Sequence, residues 1–242
     1  MSLPNTIPPL PGGRLKRLQS STVHWQGSDQ QHTWERNIKI PANKAYFVKH
    51  NWDTIAAITY TYNSHAFRDE EFDDRECHIA LGCSFTEGVG LNAKQVWPTK
   101  LTQLLNKYVW NLGAGGCALD TCYRLTEYYV PLLQPEVVFL LTPPKCRFEL
   151  FYNNQVECYL PLHNGNNVLF KTWAIDENNA IINQQKNITA IKYICEKYNS
   201  RLIIKESDSD MIDTELARDL MHHGEPTHDD ITNQFLREFN NG

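Results

Sequence analysis

His78-Ile79-Ala80-Leu81-Gly82-Cys83-Ser84-Phe85-Thr86-Glu87-Gly88-Val89-Gly90 decides the fold. A short apolar run that stops at a glycine reads as a buried parallel strand, because a strand covered on both faces shows no alternation. The continuation is a glycine-rich strand-to-helix turn, which puts Ser84 at the crevice end of a sheet. Gly82 lets the backbone turn tightly, and Gly88 and Gly90 allow neighbouring chain to approach. The Ser84 N–H can face a developing oxyanion there. Three readings stay open at this point: a turn bearing a nucleophile, a plain strand-to-helix turn with an incidental serine, and a phosphate-binding loop. The third lacks the Walker spacing and its Lys-Ser/Thr ending.

Working outward, residues 94–108 read as a helix, with Pro98 in its first turn and Leu101, Leu104, Leu105 and Tyr108 at helical spacing. Val109-Trp110-Asn111-Leu112 is a second strand ending at Gly113. A helix over about 120–133 precedes a third strand, Val137-Val138-Phe139-Leu140-Leu141. Residues 143–183 break the rhythm, being rich in Asn and in aromatics (Phe148, Phe151, Tyr152, Tyr159, Phe170, Trp173), and read as an insertion of short strands and loops. A helix over about 184–198, the strand Arg201-Leu202-Ile203-Ile204-Lys205 and a helix over about 229–239 complete the pattern. Alternating strands and helices imply an α/β fold with a doubly wound parallel sheet, whose ligands bind at the strands' carboxyl ends. Upstream, residues 1–35 read as an arm, given Ile7-Pro8-Pro9-Leu10-Pro11-Gly12-Gly13 and no apolar periodicity. Residues 36–76 alternate short apolar pieces with turns, and Ala57-Ile58-Thr59-Tyr60-Thr61-Tyr62 reads as a strand. The expected organisation is an N-terminal arm and extension over 1–76 and an α/β domain over 77–242 with its insertion at about 143–183.

The formal net charge is -5 and no long basic block occurs, which argues against a dedicated nucleic-acid surface. Arg14-Lys16-Arg17 reads as a solvated tail. Seven cysteines, an odd number without CxxC spacing, argue against a disulfide framework or a zinc knuckle. Prolines interrupt the N-terminus where a signal peptide would be apolar, and no apolar run approaches the ~20 residues that span a bilayer. The expected settings are the cytoplasm or a virus particle.

Two more constellations fall at strand ends. Asn111-Leu112-Gly113-Ala114-Gly115-Gly116 follows the second strand and reads equally as a source of free backbone N–H groups or as a plain helix entry. Ala217-Arg218-Asp219-Leu220-Met221-His222-His223-Gly224 follows the last strand. There Asp219 can fix the tautomer of His222 and leave its other ring nitrogen facing a nucleophile. A lone DxxH is common, and His223, His228, Asp229 and Asp230 crowd the same stretch, so a metal site is the competing reading. No HExxH or comparable spacing supports it, and the expectation is no metal and no cofactor. Asp229 and Asp230 read as charges at the start of the final helix.

Together these blocks resemble the SGNH (GDSL-like) hydrolase superfamily over about 78–142 and 184–240. Gly82-Cys83-Ser84-Phe85 is similar to its first block, Asn111 with Gly116 to its second, and Asp219 with His222 to its last. Val96-Trp97-Pro98, Gly224 and His228 add to the likeness. The resemblance implies a three-layer, flavodoxin-like sheet. It further implies a Ser84-His222-Asp219 triad, with oxyanion donors at the N–H groups of Ser84 and Gly116, acting on esters. Two departures stand out. Cys83 replaces the Asp before the nucleophile. The third block, which supplies an Asn to the oxyanion hole, here reads Leu141-Thr142-Pro143-Pro144-Lys145. Thr142, Asn153 and Asn154 are the candidate replacements, and loss of one donor costs ~10²–10³ in turnover.

The leading expectation is therefore a serine esterase or deacylase acting on a small-molecule or carbohydrate ester, without nucleic-acid or membrane partners. The alternative is a structural or assembly protein, for example in a virion, built on this fold and using its N-terminal region as the assembly surface. An acyltransferase using the same triad is a third reading. The insertion follows the strand ending at Leu141 and is expected to border Ser84, with aromatics that stack on sugar rings or pack as a satellite core.

Overall fold

The computed structural model describes residues 10, 13–152, 155–160, 166–174, 176–207 and 215–241. In chain order the elements are α1 (Arg14–Leu18), β1 (Thr22–Val23), α2 (Gln31–Asn37), α3 (Pro41–Lys49), β2 (Tyr60–Thr61), β3 (Cys77–Leu81) and α4 (Ser84–Glu87). Then follow α5 (Trp97–Leu105), β4 (Tyr108–Asn111), α6 (Leu119–Leu133), β5 (Val137–Thr142), β6 (Phe148–Tyr152), β7 (Gln155–Tyr159), α7 (Val168–Ala174), α8 (Glu177–Lys197), β8 (Arg201–Glu206) and α9 (Glu225–Asn240).

The central sheet has the order β4-β3-β5-β8, all parallel. Numbered by appearance in the sheet, this is second-first-third-fourth, the flavodoxin-like order, whose direction reverses beside β3. Alternate residues of each strand feed opposite layers. Val137, Phe139 and Leu141 of β5 join Ala80, Trp97, Leu101, Ile231 and Phe235 on the face covered by α5 and α9. Val138 and Leu140 join Ile79, Leu81, Leu125, Tyr129, Ile191 and Cys195 on the face covered by α6 and α8. The expected three-layer α/β arrangement is present.

Several boundaries differ from the sequence reading, each for a local reason. The segment over 94–108 divides. Trp97–Leu105 is helical, and Asn106 in a left-handed conformation ends it before β4. Helix α8 starts at Glu177, seven residues before expected, because the Asp176 side chain caps it by accepting from the Asn178 N–H. The asparagines that follow are weak helix formers and hid this first turn. Helix α9 starts at Glu225, so Glu225 occupies its first turn in place of Asp229 and Asp230. Of 57–62 only Tyr60–Thr61 forms a strand, paired antiparallel with Thr22–Val23. Residues 143–183 contain the hairpin β6-β7, α7 and the start of α8.

The N-terminal stretch shares the main core. Leu18, Phe47, Trp52, Ile58, Tyr60 and Phe67 pack in one cluster with Trp110, Leu112 and Tyr129 of the sheet region. Arg14, read as part of a solvated tail, is buried and pairs with buried Glu87 at 2.8 Å. A basic run in isolation does not reveal a carboxylate 73 positions away. Among the described residues no helix is long and apolar enough to cross a membrane.

Candidate active site

Ser84 is the first residue of α4, directly beyond the carboxyl end of β3. A first-turn N–H has no acceptor within its own helix, so the Ser84 amide is free of the ladder. Asp219 and His222 lie on a compact turn between β8 and α9. The His222 carbonyl accepts from the Ala217 N–H at 2.8 Å, and Leu220 takes a left-handed conformation at φ 55°. A non-glycine residue there is strained, and such strain concentrates at functional sites. The turn closes against β3's loop because Gly90 has no side chain. A Cβ at Gly90 would come within 2.7 Å of the Ala217 Cβ and 3.3 Å of the Asp219 Oδ1. The Gly90 carbonyl instead accepts from the Arg218 N–H at 3.0 Å.

The structure brings Ser84, His222 and Asp219 together. The Ser84 Oγ lies 2.7 Å from His222 Nε2, and His222 Nδ1 lies 2.6 Å from Asp219 Oδ2. The other carboxylate oxygen, Oδ1, accepts from the backbone N–H groups of Met221 at 3.1 Å and His222 at 3.0 Å. Burial alone would raise the Asp219 carboxyl. The hydrogen bonds and charge of His222, helped by the Ser28 hydroxyl, outweigh it and hold the group below the usual carboxylate range. Phe85 packs edge-on against His222 and stacks on His223.

Gly116 follows β4 with φ 77°, and nothing stands within 4 Å of where a side chain would project. The turn that carries it is tied to α4 at two points. The Asn111 side chain donates to the Thr86 carbonyl at 2.7 Å and accepts from the Gly113 N–H at 2.9 Å. The Gly115 N–H donates to Glu87 Oε2 at 2.6 Å. Glu87 is fully buried and also accepts from Arg14, from Tyr62 Oη at 2.6 Å and from Gln26 Nε2 at 3.3 Å. Burial opposes its charge, but Arg14 and these donors hold its carboxyl below the ordinary value.

Sequence reasoning missed Glu87, Arg14, Ser28 and Asp29. Glu87 carried the one available signal, an acidic residue inside an otherwise apolar and glycine-rich block. Thr142 ends β5 and is buried. Asn153 and Asn154 lie outside the described residues. Arg147 of the insertion reaches the same region, donating from Nη1 to the Cys117 carbonyl at 3.2 Å, one residue past Gly116. Its Nε is buried without a partner among the described residues. The insertion therefore abuts the Cys117 turn and is further fixed by the buried Arg124–Glu149 pair at 2.6 Å. Its aromatics Phe148, Tyr159, Phe170 and Trp173 pack on one another in a satellite cluster, which occupies the faces that would otherwise stack on sugar.

The histidine-rich stretch resolves into separate roles. His228 is buried and accepts from the Trp97 N–H through Nδ1 at 3.3 Å. Asp229 pairs with Lys100, and Asp230 accepts from Gln234 at 2.8 Å. Among the described residues no group of three or more His, Cys, Asp or Glu side chains is placed to hold a metal ion.

The central sheet is parallel in a flavodoxin-like order, with Ser84 following its first strand and an Asp-x-x-His turn following its fourth. No family profile and no curated protein matches the sequence. Similar solved structures include TesA, with 10% identity over 69% of this chain and 99% of that one at a TM-score of 0.47. A lipolytic protein of the G-D-S-L family from Veillonella parvula shares 12% identity over 67% and 97% of the two chains, TM-score 0.36. A Clostridium thermocellum family 3 carbohydrate esterase shares 14% over 68% and 97%, TM-score 0.38. With every one of these scores below 0.5, the fold assignment rests on the sheet's own strand order and register.

Proposed function

We propose that this protein hydrolyses O-acyl esters of small molecules or carbohydrates, with Ser84 as nucleophile, His222 as general base and then acid, and Asp219 as the partner that orients His222. The observation that carries this reading is the continuous contact from Ser84 Oγ through His222 to Asp219 Oδ2, at 2.7 and 2.6 Å. His222 Nε2 takes the Ser84 proton as Oγ adds to the acyl carbon. The carbonyl oxygen becomes an oxyanion that the N–H groups of Ser84 and Gly116 stabilise. Protonated His222 then returns the proton to the departing alkoxide, leaving an acyl-serine. Water, deprotonated by the same nitrogen, adds to that ester and releases the acid and free Ser84. Asp219 stays ionised throughout and keeps the Nδ1–H directed at itself. The scheme calls for no metal or organic cofactor.

The test is turnover of p-nitrophenyl acetate together with fluorophosphonate labelling, in the parent and in Ser84→Ala. The expected result is turnover and labelling in the parent and neither in the variant, with folding unchanged. Equal rates in both proteins would overturn the assignment of Ser84. Turnover in H₂¹⁸O should place one ¹⁸O in the released acid. Unlabelled acid released only as a new ester with an added alcohol would instead identify an acyltransferase.

A further inference from the structure

We infer that Ser28, contributed by the N-terminal segment, is a positioning residue of the Asp219–His222 pair, an inference that rests on the esterase reading above. The Ser28 hydroxyl donates to Asp219 Oδ2 at 2.6 Å, the same oxygen that receives His222 Nδ1 at 2.6 Å, and lies 3.2 Å from Nδ1 itself. A carboxylate has about two acceptor directions per oxygen. With Met221 and His222 backbone N–H groups on Oδ1, all four are filled by protein. The carboxylate therefore has no freedom to rotate away from the imidazole, and its hydrogen-bond capacity is met without water.

Ser28 is itself rigidly placed. It sits on a tight turn closed by reciprocal backbone bonds between Gln26 and Asp29 at 3.0 and 3.1 Å. Its neighbour Asp29 is buried and bonds Arg218, the residue beside Asp219, at 2.6 Å, and Arg218 lies over the Trp25 ring at 4.2 Å. Adjacent residues of the turn thus grip adjacent residues of the Asp219 loop. Gln26 extends the same segment to Glu87. Three consecutive anchor points of the N-terminal segment reach both halves of the candidate site.

The hydroxyl also sets how strongly Asp219 holds the imidazole proton. A donor on Oδ2 draws charge from the oxygen that faces Nδ1, so removing it strengthens the attraction for an imidazolium. Among the described residues, the other charged or titratable groups around the pair are Asp29 and Arg218, which neutralise each other, His223 on the same turn, and His228 from α9, which is held uncharged.

Ser28→Ala and Ser28→Thr test this. Ser28→Ala should lower kcat about tenfold with KM little changed, the size of one charge-assisted hydrogen bond in part expressed in the transition state. The acidic limb of its kcat/KM profile should move to higher pH, and the His222 ring titration followed by NMR should move the same way. Ser28→Thr, which keeps the hydroxyl, should restore both. Unchanged kcat and an unmoved His222 titration in Ser28→Ala would overturn the inference. So would a loss of kcat with no shift of the titration and no rescue by Thr, which marks a merely structural role. A parent protein that neither turns over nor labels at Ser84 overturns the esterase reading instead, and the NMR titration still decides whether Ser28 governs His222.

Discussion

The Gly115 N–H donates to Glu87 Oε2 across 2.6 Å, so the turn bearing Gly116 is held by a carboxylate on the helix that Ser84 opens. Glu87 in turn is ion-paired with Arg14, 73 positions earlier in the chain. One buried ion pair thereby couples the proposed oxyanion donors to the N-terminal segment.

Glu87→Gln should therefore cost stability and activity together. Removing one partner of a buried pair leaves an uncompensated Arg14 and costs about 3–5 kcal/mol. The amide can no longer accept from Gly115, Tyr62 and Arg14 at once, so kcat should also fall by ~10² through a displaced Gly116 N–H. Urea denaturation and ester turnover measure the two effects. A variant that keeps parental stability would show that the pair is not the strut described.

Asp219→Asn should preserve the fold and lower kcat by ~10⁴, because the amide NH₂ faces His222 Nδ1 and forces the wrong tautomer. Labelling of Ser84 by fluorophosphonate should slow in proportion. Labelling at the parental rate would remove Asp219 from the proposed relay.

Gly90→Ala should perturb the site from a distance. The new methyl meets the Ala217 Cβ at 2.7 Å, and the residue must hold φ 81°. Together these should destabilise the protein by about 1–3 kcal/mol and lower kcat by shifting the Asp219 turn relative to Ser84. Thermal unfolding and steady-state kinetics of the variant check both. An unaffected kcat would mean that the turn does not depend on this close approach.

His228 predicts the form of acid destabilisation. Burial, followed by the charges of Lys100, His222 and His223, pushes it down to about 3. Above about pH 6.5 it is neutral in both folded and unfolded chains. Below that, the unfolded chain takes up a proton that the folded protein refuses, so stability falls as pH falls, by about 1.4 kcal/mol per unit down to the folded value. His228→Asn, whose side-chain oxygen can still accept from the Trp97 N–H, lacks this proton. Its stability measured from pH 7 to 4 should decline less steeply by that slope. Parallel curves would place the His228 proton elsewhere.

Much of the architecture was legible because its signals are local. The apolar runs at 78–81 and 137–141 need only a handful of neighbours to read as buried strands, and the Asp-x-x-His spacing lies within one turn. Boundaries failed where the signal was a capping side chain or a left-handed residue, as at Asp176 and Asn106. The N-terminal segment reads poorly because its prolines, glycines and polar residues have no period. Its buried charged residues Arg14 and Asp29 are covered by partners far along the chain, Glu87 and Arg218, not by a repeating face.

The sequence by itself determined the α/β class, the order in which strands and helices alternate, and the three glycine-, serine- and histidine-bearing blocks at strand ends. Only the tertiary structure decided that Ser28 meets Asp219 across 191 positions and that Arg14 meets Glu87 across 73. Hydrophobic periodicity is a property of neighbours along the chain and survives in the sequence. A hydrogen bond or buried ion pair between distant residues depends on the folded path of everything between them, and no spacing records it.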